Sequence, residues 1–225
     1  MYDLSSFTSE LNSLQLLYQH QKPRWYRARV PWSKEVNNAW RLYSNAKANN
    51  LGMLVLGGED IRTDADLTNN MGTTAANPVD NRSGTTVSAS APSGSNTTGS
   101  VLKERFWWPM LNDAWVLGGL HGLAQFHLAS PSIASVSDDS LWDAGAKRPR
   151  VLGREIIGLF NFGYVRVSHD HEAKLGIVFS ADNKLSAQGA TFRNYLTAIN
   201  LVTSVSNIKS MLTPNVKYTS YRLAL

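Results

Sequence analysis

The chain has 225 residues, 43% of them hydrophobic, which suits one sizeable globular domain and excludes disorder along the whole length. It contains no cysteine, so disulfides, cysteine zinc sites and a thiol nucleophile are excluded. The net charge of +5 favours an acidic partner such as nucleic acid, a nucleotide or an anionic surface, although many proteins carry such a charge without one.

The N-terminus carries no recognisable export or membrane signal. Residues 1–7 have no basic segment followed by an apolar core, so they do not form a secretory signal peptide. No stretch approaches the roughly 18 consecutive apolar residues of a membrane-spanning helix. We therefore expect a soluble protein without a membrane span, either cytoplasmic or exported by a route that needs no N-terminal signal peptide.

The first predicted elements are two helices and two strands. Apolar residues recur at helical spacing at Leu4, Phe7, Leu11, Leu14 and Tyr18. With Ser5 and Ser6 as available caps, this pattern predicts an amphipathic helix over 4–20. Residues 25–30 alternate as a strand does. Ser33 is then the predicted N-cap of a helix over 34–49.

A short apolar run over 51–56 indicates a buried strand, followed by a turn at Gly57 and Gly58. Between 68 and 100 the composition changes abruptly to Thr, Ser, Asn, Gly, Ala and Pro. Such a segment buries too little apolar surface to offset its ordering entropy, so we interpret it as a flexible excursion. The functional alternative is a loop that covers a substrate.

The excursion divides the predicted domain into parts. Residues 1–67 form the N-terminal helix-strand-helix-strand part, and residues 101–225 form the main core. The centre of that core is predicted at 106–127, the densest apolar run, which holds three of the seven tryptophans.

The second half of the chain continues with a loop over 135–140 and a helix over 150–159. Two alternating apolar segments, 160–168 and 175–179, predict a β-hairpin with a six-residue connection. A last helix is predicted over 189–212, followed by an edge strand over 216–223. Its inward residues are expected to be Phe192, Leu196, Ile199, Val202 and Ile208.

Helices and strands are mixed without a βαβ repeat, which favours the α+β class. We expect a single globular domain in which a mixed or antiparallel sheet packs against several helices, interrupted by the long flexible loop.

Two histidines in the hairpin connection are candidate metal ligands. On an extended backbone His169 and His171 point the same way, as two ligands of one metal would, and Glu155 or His121 could supply a third. A divalent metal is the one cofactor that this pattern suggests. The alternative is a polar turn in which these side chains are simply solvated.

His121 lies among tryptophans and glycines of the central stretch, with His127 close behind. Asp113 or Glu155 could fix the tautomer of His121 and adjust its pKa for general acid or base chemistry. Three glycines, Gly118, Gly119 and Gly122, would let a ligand approach closely. Alternatively, these glycines permit tight packing, and His121 is a core residue with satisfied hydrogen bonds.

Arg27 and Arg29 alternate with Trp25 and Tyr26 on the predicted strand. Arginines interleaved with aromatic residues suit phosphate contact and base stacking on RNA, single-stranded DNA or a dinucleotide. The alternative is an amphipathic strand with a solvated basic face.

No Walker loop, nucleophile elbow, Rossmann glycine motif or H-E-x-x-H helix occurs in the chain. The leading hypothesis is a bacterial effector or toxin-like enzyme that acts on RNA or a nucleotide. In that hypothesis His121, His169 and Glu155 are catalytic, and Arg27, Arg29, Trp25 and Tyr26 bind the substrate. The alternative is a non-enzymatic interaction module, such as an adaptor, an immunity-type binder or an assembly component with a protein partner.

Overall fold

A computed structural model describes residues 2–21, 31–48, 53–56, 109–128, 133–170 and 176–212 of the chain. Helices and strands are mixed within these ranges, so the predicted α+β class is confirmed. No helix in the described ranges is long and apolar enough to cross a membrane. Four predictions lie outside the described residues: the strand over 25–30, the turn at Gly57 and Gly58, the excursion over 68–100 and the edge strand over 216–223.

The first predicted helix is present as two helices, α1 (Leu4–Ser13) and α2 (Gln15–Gln21), which meet at Leu14. The prediction that Ser5 or Ser6 caps it is wrong. Asp3 is the N-cap, because its carboxylate accepts a hydrogen bond from the Ser6 amide at 2.7 Å. The predicted apolar face is buried at Phe7, Leu11, Leu14 and Tyr18, but the prediction is wrong for Leu4, which is 47% exposed at the start of α1.

Helix α3 (Trp32–Ala48) begins before the predicted cap. The amides of Lys34 and Glu35 both donate to the carbonyl of Pro31, at 3.0 and 3.1 Å. Ser33 therefore lies inside the first turn, and its assignment as the N-cap is wrong.

The central apolar stretch forms helix α4 (Pro109–His121), which is buried along nearly its whole length. It runs parallel to α3 with the two backbones nearly touching. A Cβ atom at Gly118 would lie 2.2 Å from the Tyr43 carbonyl oxygen, and one at Gly122 would lie 2.4 Å from that of Lys47. These glycines therefore serve helix packing, since no other side chain fits between the backbones.

The described ranges contain six strands: β1 (Met53–Leu56), β2 (Gln125–Leu128), β3 (Trp142–Asp143), β4 (Arg148–Pro149), β5 (Tyr164–Asp170) and β6 (Gly176–Ala181). Four of them form one sheet in the order β1-β2-β6-β5, while β3 and β4 form a separate small hairpin. The pair β1 and β2 is parallel and the other pairs are antiparallel, so the larger sheet is mixed.

The predicted β-hairpin is confirmed as the antiparallel pair β5 and β6. Its first strand starts later than predicted, because Phe160 and Asn161 end helix α6 (Val151–Asn161), before which lies the short helix α5 (Asp138–Leu141). Gly163 makes the turn into β5 with a φ of +80°, which glycine adopts without strain. The strands are joined by residues 171–175, one residue fewer than predicted.

The prediction of a loop over 135–140 is wrong in part, because its last residues belong to helix α5. Its N-cap Ser137 accepts a hydrogen bond from the Ser140 amide.

The last predicted helix is divided. Instead of one helix over 189–212, three helices follow β6: α7 (Lys184–Gln188), α8 (Phe192–Leu201) and α9 (Val205–Leu212). Thr191 caps α8, Val202 is extended with a ψ of 119°, and the Ser204 hydroxyl accepts from the Asn207 amide at 3.4 Å. These capping groups compete with a continuous helix. The residues predicted to face inward are all buried: Phe192, Leu196, Ile199, Val202 and Ile208.

The contact between α3 and α4 leads to a stability prediction. Gly118→Ala should lower the free energy of unfolding by about 2 to 3 kcal/mol, because the added methyl group overlaps the Tyr43 carbonyl. Gly145→Ala is the control, since its nearest new neighbour would be 3.5 Å away. Urea denaturation compares the two variants with the unchanged protein. A Gly118→Ala variant as stable as Gly145→Ala would contradict the close packing of the helices.

Candidate functional site

A buried ion pair joins α4 to α6. The guanidinium of Arg154 binds the carboxylate of Asp113 through two nitrogens, Nε to Oδ1 at 3.0 Å and Nη2 to Oδ2 at 2.5 Å. Both side chains are almost fully removed from solvent. Two parallel hydrogen bonds are the strongest arrangement that arginine and a carboxylate can form.

The ion pair has further partners on two other helices. The hydroxyl of Tyr18 donates to Asp113 Oδ2 at 2.8 Å, and Arg154 Nη1 donates to Gln21 Oε1 at 3.1 Å. The hydroxyl of Tyr195 donates to the backbone carbonyl of Arg154 at 2.7 Å. The network thus connects α2, α4, α6 and α8.

Burial raises the pKa of the Asp113 carboxyl group, and the neighbouring Arg154 and Tyr18 counteract that shift only in part. Burial disfavours the charged form of Arg154, but the adjacent Asp113 carboxylate outweighs it and raises the pKa of the guanidinium. Burial raises the pKa of Tyr18 and of Tyr195 well above the ordinary value, so both hydroxyls stay protonated. Arg154, Tyr18 and Tyr195 are thereby held in the protonated form that donates these hydrogen bonds.

His121, the last residue of α4, is enclosed in the same way. Its Nε2 is 2.8 Å from the carbonyl oxygen of Ala190, and its Nδ1 is 2.8 Å from the hydroxyl of Tyr43. A carbonyl only accepts hydrogen bonds, so Nε2 carries the hydrogen and Nδ1 accepts from the tyrosine. The expectation that Asp113 or Glu155 fixes this tautomer is wrong, because Tyr43 and Ala190 fix it.

The surroundings of His121 favour the neutral ring. Burial lowers the pKa of His121 to about 4, and only 8% of the residue is exposed. The ring of Tyr2 covers it at a centroid distance of 5.4 Å. Tyr2 is itself held by a hydrogen bond from its hydroxyl to Glu10, and Glu10 Oε1 accepts from the Arg193 amide at 3.0 Å. A substrate could reach His121 only after these contacts are broken.

The other predicted site residues are spread over the fold. Glu155 is buried in α6 and His127 is buried in β2. His169 is in the last part of β5, whose first residue, Tyr164, donates to the Ala124 carbonyl near the end of α4 at 2.7 Å. The side chain of His169 is not among those that the structure describes, so its proposed role beside His121 stays a prediction.

Five predicted site residues lie outside the described ranges: Trp25, Tyr26, Arg27, Arg29 and His171. Among the residues that the structure describes, no three His, Asp or Glu side chains are grouped as metal ligands. The metal pair of His169 and His171 stays a prediction.

The sequence contains a signal for the buried ion pair, although no motif points to it. Asp113 is the one charged residue in the apolar run 106–127, and Arg154 lies within the apolar helix α6. A charged residue in an otherwise apolar helix needs a partner, because an isolated buried charge is costly.

The solvent side of α1 and α2 carries two exposed leucines. We name its exposed residues the α1–α2 outer face: Ser9, Asn12, Ser13, Leu16, Leu17, Gln19 and His20. Neighbouring side chains contact this face, because Arg193 Nη2 donates to Ser13 Oγ at 3.3 Å and Trp32 Nε1 donates to Asn12 Oδ1 at 2.8 Å. Leu16 is 73% exposed and Leu17 is 53% exposed. Two adjacent leucines of α2 therefore face solvent.

No family model, curated protein or solved structure matches the chain. Function is therefore inferred from the geometry and chemistry of the described residues.

The ion pair can be tested with a double-mutant cycle. Asp113→Leu should lower the free energy of unfolding by about 3 to 5 kcal/mol, because it leaves the Arg154 charge buried without its partner. Arg154→Met should cost a similar amount. The double variant should lose less than the sum of the two single losses, since it leaves no buried charge. Strictly additive losses in urea denaturation would contradict this.

The burial of His121 predicts a pH dependence. The pKa of His121 is 6.5 in the unfolded chain and about 4 in the folded protein. Between these two pH values His121 binds a proton in the unfolded chain but not in the folded one. The free energy of unfolding should therefore fall as the pH falls through this window, by up to about 3 kcal/mol from this residue. His121→Gln, which keeps a donor and an acceptor, should lose that part of the dependence. Denaturation curves that change equally with pH in both proteins would show that His121 is not buried as a neutral ring.

Proposed function

We propose that the protein is a non-enzymatic interaction module that docks through the α1–α2 outer face. The observation that carries this proposal is the exposure of Leu16 and Leu17 side by side on α2. Exposing two leucines to water costs free energy that a partner would recover by covering them.

The charge pattern of α1 and α2 supports the same proposal. From residue 4 to residue 21 the one acidic or basic residue other than His20 is Glu10, and its carboxylate is turned toward the start of α8. Protein interfaces are depleted of charged residues at their centres, because burying an unpaired charge is costly. The α1–α2 outer face has no acidic residue, lysine or arginine of its own, and the exposed Arg193, which donates to Ser13 Oγ at 3.3 Å, lies beside it.

The buried polar groups support a structural rather than a catalytic role for His121. Both of its ring nitrogens are in hydrogen bonds within the protein, and the ring is neutral at physiological pH. A general base needs an accessible lone pair within reach of the substrate. His121 instead links α3 to the segment before α8.

The second proposal is the effector or toxin-like enzyme that acts on RNA or a nucleotide. The net charge of +5 favours it, together with Arg27 and Arg29 beside Trp25 and Tyr26, a composition suited to phosphate contact and base stacking. In this proposal His121 must leave its hydrogen bonds, with Glu155 and His169 as the remaining catalytic candidates.

A photo-crosslinking experiment tests the first proposal. A photoreactive amino acid replaces Leu16 in one version of the protein and Leu185 in another. Leu185 is the matched control, because it is a single leucine that is 83% exposed on α7. We expect irradiation in the native cell to give a defined protein adduct from position 16 and none from position 185. No adduct from position 16, with RNA binding that Arg27→Ala and Arg29→Ala abolish, would favour the enzyme instead.

A further inference from the structure

We infer that Tyr2 is an acid-opened cover over His121, which makes this part of the fold a conformational switch. In the closed form, which the structure shows, the ring of Tyr2 lies on the imidazole. In the open form Tyr2 has moved away, and a protonated His121 meets solvent. Such a switch is compatible with either proposed function and depends on neither.

Tyr2 covers His121 with its ring and is held there by its hydroxyl. The centroid of its ring lies 5.4 Å from that of His121 and 6.0 Å from that of Tyr43. Its hydroxyl donates to the carboxylate of Glu10 and accepts from the amide of Phe192 at 3.2 Å. These contacts join the half-buried Tyr2 to α1, α3, α4 and the start of α8.

Among the described neighbours of His121, Tyr2 is the one that can move without disturbing a helix. It precedes the N-cap of α1 and lies outside that helix. The groups at the two ring nitrogens are held more firmly. Tyr43 belongs to α3, whose backbone is in close contact with α4 at Gly118, and the carbonyl of Ala190 lies just before α8. Water therefore reaches the imidazole most readily when Tyr2 moves away.

Acid favours the open form, because closure keeps His121 neutral. Burial lowers the pKa of His121 to about 4 in the closed form, whereas an imidazole in water has the ordinary value of 6.5. Between these values the open form binds a proton that the closed form does not bind. Each unit by which the pH falls then favours the open form about tenfold, which amounts to about 300-fold over the whole range.

The charged groups around His121 act in both directions. The positive charges of Lys47, on α3, and of the amino terminus also lower the pKa of His121. Tyr43 stays protonated, since burial raises its pKa to about 12. Glu10 opposes opening in acid, because burial raises the pKa of its carboxyl group and the closed form thus binds that proton more tightly. The amide and the charge of Arg193 limit that rise, so His121 decides the direction.

Hydrogen exchange on the full chain, measured by NMR, tests the switch. The amide of Phe192 donates to the Tyr2 hydroxyl, so it reports on the cover. Its protection, corrected for the intrinsic rate, should fall about 10- to 50-fold between about pH 7 and about pH 4.5. The amide of Arg154, in the core, donates to the carbonyl of Arg150 and should stay at least about 100-fold better protected at the lower pH. In His121→Gln the protection at Phe192 should change less than about threefold.

A titration of His121 tests the cover directly. In Tyr2→Ala the pKa of His121 should rise from about 4 toward the ordinary value of 6.5, because water then reaches the ring. Tyr2→Phe is the matched control, since it keeps an aromatic ring over His121 and should leave the pKa nearer to that of the unchanged protein. The chemical shift of the imidazole Cε1 proton measures each pKa, and circular dichroism checks that the variants are folded.

Three results would overturn the inference. The first is protection at Phe192 that does not change with pH. The second is equal protection at Phe192 and Arg154 at the lower pH, because the cover would then open only when the whole fold does. The third is a pKa of His121 in folded Tyr2→Ala that equals that of the unchanged protein.

Discussion

The close approach of α3 and α4 is the constraint on which the rest of the structure depends. Gly118 and Gly122 let the two parallel backbones come within van der Waals contact, at a distance that a single methyl group would prevent. This contact brings Tyr43 to the end of α4, where its hydroxyl meets His121. The hydrogen bond from His121 to Ala190 then fixes the start of α8 against both helices.

Local patterns in the sequence predicted the buried faces well. Phe7, Leu11 and Tyr18 in the first helix, and Phe192 and Ile199 in the last part of the chain, are buried as their spacing indicates. Burial follows from periodicity because a helix has one side toward the core, whichever residues begin or end it. The predicted helix boundaries were wrong where a capping residue determines the start of the helix, as at Asp3 and at Thr191. More than one residue near such a boundary has a side chain that can act as an N-cap, and the sequence does not show which one does.

The site was predicted less well, because its contacts are distant in sequence. The sequence drew attention to His121 but not to its partners, Tyr43 and Ala190, which are 78 and 69 residues away. The Asp113 and Arg154 pair is separated by 41 residues. Periodicity indicates which side of a helix is buried, but the residue it meets there depends on the tertiary arrangement.

The buried ion pair also links the core to the proposed docking surface. Helix α2, which carries Leu16 and Leu17, buries Tyr18, and the hydroxyl of that residue donates to Asp113. Gln21, at the end of α2, accepts from Arg154. Tyr18 and Gln21 thus bind the two members of one ion pair. The orientation of helix α2 therefore depends on charged groups in the core. Through Tyr18 and Gln21 the ion pair helps to hold α2, and with it Leu16 and Leu17, in one orientation.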